Sequence, residues 1–145
     1  MSFRIEHRLG VPAPAHAVWD VLKEIEQWPQ WCGLYPAVSG VLRIGGTISV
    51  VEQFPGADPA TLRPTILDWV PDSQILWKAS SSRGFIKRTR YFEIEALTDT
   101  GCVVSNGEIY TGFATRYVSR QRRRAIQAAF AAFNEGLKAR VLAAA

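Results

Sequence analysis

The sequence holds little that would support covalent or metal chemistry. Its two cysteines, Cys32 and Cys102, lie far apart with no Cys-x-x-Cys or Cys/His cluster around them. That argues against a disulfide framework and reads as two free thiols in a reducing compartment. Two histidines, His7 and His16, leave a zinc site without a third or fourth ligand at useful spacing, so neither metal nor cofactor is expected. No segment approaches the ~18 consecutive apolar residues of a membrane helix, and the start Ser2-Phe3-Arg4-Ile5-Glu6 alternates instead of running apolar. Neither stable membrane insertion nor a signal peptide is expected, and the expected location is cytoplasmic. A phosphate-cradling glycine loop is also missing, because Gly45-Gly46 leads into a strand and does not open a helix. Ser105, Ser119 and Cys32 have no His and acid at motif spacing, so nucleophilic catalysis has no support.

What is present suffices for one core. A chain of 145 residues, 48% hydrophobic and 21% charged, is expected to form a single globular domain over 1–145. At that length about 70% of the unfolded surface can leave water. Seventeen Lys and Arg against 13 Asp and Glu give a net charge of +4, which attracts anions weakly. It is too small to indicate nucleic acid, and no nucleic-acid partner is expected.

The periodicity changes along the chain. Phe3, Ile5, His7, Leu9 and Val11 share one parity and predict a strand with one wet face. Pro12 and Pro14 stop that strand, and Val18, Trp19, Leu22 and Ile25 follow at helical spacing. Pro29 interrupts this helix, and Trp28, Trp31, Leu34 and Tyr35 predict one further short helical turn whose rings need cover. From Val41 to Leu97 short apolar runs alternate with Gly-Gly, Pro-Gly and Pro-Asp-Ser punctuation, which predicts a series of strands. Pro64 is expected at an edge or bulge. The clearest strand runs from Ile86 to Leu97, and Cys102 to Phe113 is its hairpin partner. Ile126, Phe130, Phe133, Leu137 and Val141 then recur at intervals of four, three, four and four. They mark one apolar stripe on a helix from about Val118 to Ala143, about 38 Å long. Strands joined by short turns are antiparallel, and their apolar face needs that long helix to cover it.

Particular residues carry a family resemblance. Behind the alternating first strand stand Pro12-Ala13-Pro14-x-x-x-Val18-Trp19-x-x-Leu22, Trp28-Pro29-x-Trp31, Gly40-x-Leu42-x-x-Gly45 and Phe133-Asn134-x-x-Leu137-Lys138. In this order they resemble the superfamily of START-like, birch-pollen-allergen-like and polyketide-cyclase-like proteins, in particular its short bacterial members. The resemblance covers essentially the whole chain and is most specific in its first third. It implies an α+β helix-grip fold: a curved seven-stranded antiparallel sheet wrapped around the C-terminal helix, two short helices after the first strand, and a cavity between sheet and helix. Members bind or carry lipids, sterols and other hydrophobic compounds, and some cyclise or dehydrate polyketides. The resemblance assigns no catalytic residue here.

A pocket of this kind would lie where small side chains, Ala125, Ala129 and Ala132, leave space beside the helical stripe. Its expected wall is Trp28, Trp31, Tyr35, Trp77, Phe92, Tyr110, Ala129, Phe130 and Phe133, unless these rings meet and fill the space as ordinary core. Arg88 and Arg90 share the parity of Ile86, Phe92 and Ile94. If that face points inward, a buried guanidinium needs a carboxylate, such as Glu52 or Glu108, or a ligand anion. A bulge before Phe92 would instead turn both arginines to solvent. His7, on the inward parity of the first strand, is either a polar group of the pocket or a half-buried structural histidine. The run Arg116, Arg120, Arg122, Arg123 and Arg124 either meets phosphates or anionic lipid heads or is a solvated helix entry. Three functions remain open. The first is a carrier or sensor, monomeric or homodimeric, of a small lipophilic molecule. The second is a cyclase- or dehydratase-like enzyme using His7, Tyr91 or Tyr110 for proton transfer. The third is a protein-interaction module with a filled core and an exposed apolar patch around Trp28 to Pro36.

Overall fold

The computed structural model describes residues 2–145. The first strand, β1 (Ser2–Val11), pairs antiparallel with the last, β8 (Gly101–Thr111), so the chain's two ends are stitched together at the outset. Between them come α1 (Ala15–Leu22), a 3-10 turn (Ile25–Gln30), β2 (Ala37–Ser39), β3 (Ser49–Glu52), β4 (Ala60–Leu62), β5 (Thr65–Val70), β6 (Gln74–Ser81) and β7 (Ile86–Thr98). Short 3-10 turns also lie at Ser82–Gly84, between β6 and β7, and at Phe113–Tyr117, which leads from β8 into the long helix α2 (Arg120–Ala144). Eight strands form two hydrogen-bonded sets, β1-β8-β7-β6-β5 and β2-β3-β4. Backbone bonds join the sets, with Ile48 N–H donating to Pro64 O at 3.1 Å and Ile66 N–H to Gly46 O at 2.8 Å. Pro64 sits in the break between β4 and β5, where its missing donor costs no ladder bond.

The curved sheet grips α2, which packs on β1, β8 and α1. The predicted stripe Ile126, Phe130, Phe133, Leu137 and Val141 is buried along its whole length. The helix starts at a Ser119 N-cap, whose Oγ accepts from Arg122 N–H at 3.1 Å and satisfies one free donor of the first turn. Polar bonds also pin α2 to the sheet. Asn106 Nδ2 donates to Phe130 O at 3.0 Å, and Asn134 Nδ2 to His7 O at 3.0 Å. Gly136 lets the helix backbone lie against the Trp31 carbonyl, at a spot where any Cβ would collide with that oxygen. Among the described residues no helix is long and apolar enough to cross a membrane.

The middle of the grip is solid. Trp28 lies at its centre, with ring centroids of Phe92 at 5.0 Å, Phe133 at 5.3 Å, Tyr35 at 5.5 Å and Trp77 at 6.0 Å. Its indole N–H, which would be costly to bury unpaired, donates to Leu22 O at the end of α1 at 2.9 Å. This packing answers the choice between cavity and core for these rings, because they meet. The segment expected to form an exposed apolar patch is correspondingly hidden, with Trp28, Leu34 and Tyr35 buried and Trp31 half-buried.

Candidate functional site

Both arginines of β7 point inward. The ladder from Lys87 to Ala96 runs without a bulge, so the parity shared with Ile86, Phe92 and Ile94 holds across the strand, and both guanidinium groups are buried. They meet different surroundings. Arg88 is held by two carboxylates: Nε donates to Glu108 Oε2 at 3.0 Å, Nη2 to Glu108 Oε1 at 2.9 Å, and Nη2 also to Glu52 Oε2 at 2.6 Å. The pair with Glu108 is the bidentate fork that a planar guanidinium favours. Tyr110 O–H donates to Glu108 Oε1 at 2.6 Å and completes the cluster.

Arg90 sits deeper and has no carboxylate on its nitrogens. Nε donates to Tyr35 Oη at 2.9 Å and Nη1 to Gly107 O at 2.9 Å, while Nη2 has no partner among the described residues. Its charge lies over aromatic faces, with Phe130 at 4.0 Å and Phe92 at 4.2 Å from ring centroid to guanidinium carbon. The rings' negative quadrupoles stabilise the desolvated cation.

Burial and charge set the protonation of the cluster. Desolvation pushes the Glu52 carboxyl above its ordinary 4.5, against the attraction of Arg88 and aided by repulsion from Glu108. The Arg88 guanidinium is held charged well above its ordinary range, because the two carboxylates outweigh its own burial. Burial and the Glu108 carboxylate push the Tyr110 phenol upward, so this tyrosine keeps its proton and donates it.

Next to the cluster the grip stays open. A cleft of about 410 Å³ lies between β3 and β4 on one side, the adjoining ends of β6 and β7 on another, and the entry of α2 on the third. Glu52, Arg88 and Tyr110 line it, together with Phe54, Leu62, Ile86, Val118 and Ile126; Tyr117, Ser119 and Arg122 border it as well. The opening exists because β6 runs on past Lys78 without a β5 partner while β4 pairs only with β3. The sheet therefore has a seam there, and the first turn of α2 does not fill it.

The expected wall residues fall into separate groups. Arg88 and Tyr110 line the cleft. Ala129 and Phe133 border a different hollow of about 350 Å³ beside the 53–57 loop, so the small side chains do not mark the cleft, which opens one turn earlier along α2. Trp28, Tyr35, Trp77, Arg90, Phe92 and Phe130 belong to solid packing, and half-buried Trp31 abuts Phe133 at 5.0 Å. Here the rings meet, as in the second of their two readings: Trp28 packs against Tyr35, Trp77 and Phe92 at centroid distances of 5.0 to 6.0 Å. His7 takes the second of its two readings, half-buried in the β1–α2 interface with its Nδ1 2.9 Å from Asn134 Nδ2, and it is not among the residues that line the cleft. Tyr91 lies on the opposite face of β7, covering Gly107 and bonded to Glu6 of β1, so it takes no part in the cleft. Sequence reasoning named Glu52 only as a partner for an arginine. Its signal was an acid within a short apolar strand, Ser49–Glu52, where burial alternates and Glu52 falls on the buried parity with Val50. Both cysteines are buried and unpaired, and among the described residues no three His, Cys, Asp or Glu side chains gather as a metal would need.

Comparison with known proteins agrees with this architecture. No curated protein matches the chain in sequence. Among solved structures it is similar to a START superfamily protein from Mycobacterium smegmatis, at TM-score 0.79 and 12% identity over 98% of this chain and 99% of that one. It is also similar to the Zhui aromatase/cyclase from a Streptomyces species, at TM-score 0.78 and 13% identity over 97% and 94%. A norcoclaurine synthase from Thalictrum flavum, solved with a transition-state analogue, follows at TM-score 0.75 and 15% identity over 98% and 95%. At these identities the likeness is one of fold. A sequence family model described as polyketide cyclase/dehydrase and lipid transport matches residues 2–142, and the chain belongs to that family.

Proposed function

We propose that the chain binds a small, mostly apolar molecule bearing one polar group, held in the cleft between β3–β4, the β6–β7 ends and the entry of α2. The observation that carries this reading is a charged cluster at the base of an apolar-walled opening of ligand size. About 410 Å³ falls within the roughly 300 to 1,000 Å³ of small-molecule sites, which combine apolar lining with a few placed polar groups. Phe54, Leu62, Ile86, Val118 and Ile126 would take the apolar body, and Glu52, Arg88 and Tyr110 would orient the polar end. A buried ion cluster adds little stability over an apolar core of the same volume, so a recognition role gives a reason for its presence. The family's description, which includes lipid transport, and the aromatase/cyclase neighbour are in keeping with a hydrophobic ligand.

Ile126→Trp tests this reading. The larger ring projects into the cleft away from the Trp28 cluster, so it should reduce affinity for an apolar fluorescent dye at least tenfold while leaving the melting temperature within a few degrees. Undiminished dye affinity would remove the cleft as the site. Native mass spectrometry of the purified protein, with extraction of any bound compound, would identify the natural ligand.

One observation favours a second reading of the same cleft. Glu52 holds its proton more tightly than an ordinary carboxyl and lies 2.6 Å from a permanently charged Arg88. Such a pair can move a proton at a carbon next to a carbonyl, with the guanidinium stabilising the enolate oxygen. In that case Glu52→Gln abolishes turnover and leaves ligand affinity intact, whereas a pure carrier shows no turnover to lose.

A further inference from the structure

The open end of the grip carries a feature that ligand binding does not use. Phe85, before β7, and Phe113 and Tyr117, in the turn before α2, are large apolar side chains left in solvent, at 57%, 57% and 71% exposure. They are contiguous, with centroids of Phe85 and Phe113 6.1 Å apart and of Phe113 and Tyr117 6.0 Å apart. Ala114 N–H donates to Phe85 O at 3.2 Å and ties the two segments together. An aromatic cluster of this kind in water needs a reason, since contiguous exposed apolar surface marks interaction sites.

The charge around it supplies one. Ten of the chain's 17 Lys and Arg fall in segments 73–92 and 109–134, and none of its 13 Asp and Glu do. Arg88 and Arg90 are buried, but Lys78, Arg83, Lys87, Arg116, Arg120 and Arg124 are exposed, and none of these six has a salt bridge among the described residues. Arg116 lies over the Phe113 ring at 4.9 Å, and Arg83 sits two residues before Phe85. Glu52, which lines the cleft, and Glu108 are committed to Arg88. Tyr117 also borders the cleft, so one ring of this cluster lies at its edge.

We infer that this end of the molecule docks on an anionic lipid surface, with Phe85, Phe113 and Tyr117 entering the headgroup boundary and the surrounding cations contacting lipid phosphates and carboxylates. Aromatic rings favour the interfacial zone, and each cation near an anionic leaflet strengthens binding. One signal alone, apolar or charged, gives only marginal and reversible attachment, whereas the two together hold a protein at the surface. A soluble acidic protein would use the cations but would leave three exposed rings unexplained. The docked pose brings the cleft mouth to the bilayer, although the docking itself does not depend on the cleft being occupied.

Sedimentation of the full chain with lipid vesicles tests this. Binding is expected to vesicles containing one-third phosphatidylserine and not to pure phosphatidylcholine, and it should be lost at about 0.5 M salt, where screening shortens to under about 5 Å. Arg116→Ser with Arg120→Ser should lower partitioning about 25-fold, at roughly fivefold per charge. Phe85→Ser with Phe113→Ser should lower it at least about tenfold with unchanged circular dichroism and melting. Equal binding to neutral vesicles, or no binding to anionic ones, overturns the inference. So does full vesicle binding by the Phe85/Phe113 variant combined with competition by a soluble polyanion, which would identify an acidic macromolecule as the partner. Dye affinity measured without vesicles should be the same in all these variants; if the dye never binds but the vesicle results hold, the cleft reading fails and the docking surface stands.

Discussion

Replacing Arg88 with methionine removes the one cation that Glu52 and Glu108 share and leaves two buried carboxyls without it. At pH 7 such a carboxyl must take up a proton on folding. For an unfolded value of about 4.3, that costs about 3.7 kcal/mol at 1.36 kcal/mol per pH unit. If the two carboxyls share one proton, the total comes to about 3 to 5 kcal/mol, the usual cost of breaking a buried pair from one side. At roughly 3 °C per kcal/mol for a chain of this size, the melting temperature should fall by about 9 to 15 °C. The pH dependence gives the sharper test. Burial already raises the Glu52 carboxyl against the pull of Arg88, so without that cation its folded value lies further above the unfolded one and the folded state of the variant binds more protons. Its deficit is therefore smallest near pH 4.3 and widens as pH rises toward 7. A triple variant, Arg88→Met with Glu52→Met and Glu108→Leu, should recover most of the lost stability, because apolar groups of similar volume commonly match a buried ion cluster. Urea titrations of the three proteins at several pH values measure this. A loss below about 1 kcal/mol for Arg88→Met, or a deficit that shrinks as pH rises, would refute the cluster as described.

Three further outcomes follow from other parts of the structure. Trp28→Ala removes the hub of the aromatic packing and should cost about 3 to 5 kcal/mol; a loss under 1 kcal/mol in denaturant titration would mean that the rings do not form a solid core. Gly136→Ala should lower the melting temperature despite alanine's roughly 1 kcal/mol advantage in a helix, because the new Cβ meets the Trp31 carbonyl; a higher melting temperature would contradict that approach. Glu52, with its carboxyl above the ordinary 4.5, contributes stability that is complete below that pH and declines as pH rises through its folded value. Glu52→Gln should flatten that part of the stability profile, and an identical slope in both proteins would show that Glu52 titrates normally.

Local pattern made much of this legible. Parity put Arg88 and Arg90 on one face of β7 together with Ile86 and Phe92 but left open whether a bulge would turn them to solvent, and the unbroken ladder decides for the inward face. Strands and helices followed from periods of two and 3.6, and the proline break at Pro64 appears where a lost donor does no harm. The same parity left two readings open for His7, and it lies over α2 at Asn134. A strand's parity tells which face a side chain occupies and leaves open which part of that face the cover element leaves bare.

The amino-acid order by itself determined the elements and the apolar stripe of α2, because each of these depends on neighbours within a few residues. Only the tertiary structure decided that the space beneath Trp28 is filled, that the opening lies instead beside Ile126 and Val118, and that Glu52 from the small sheet meets Glu108 from the large one across Arg88. The volume left between a curved sheet and a helix is the difference between a surface and the side chains of several distant segments, and that difference exists only once they have been brought together.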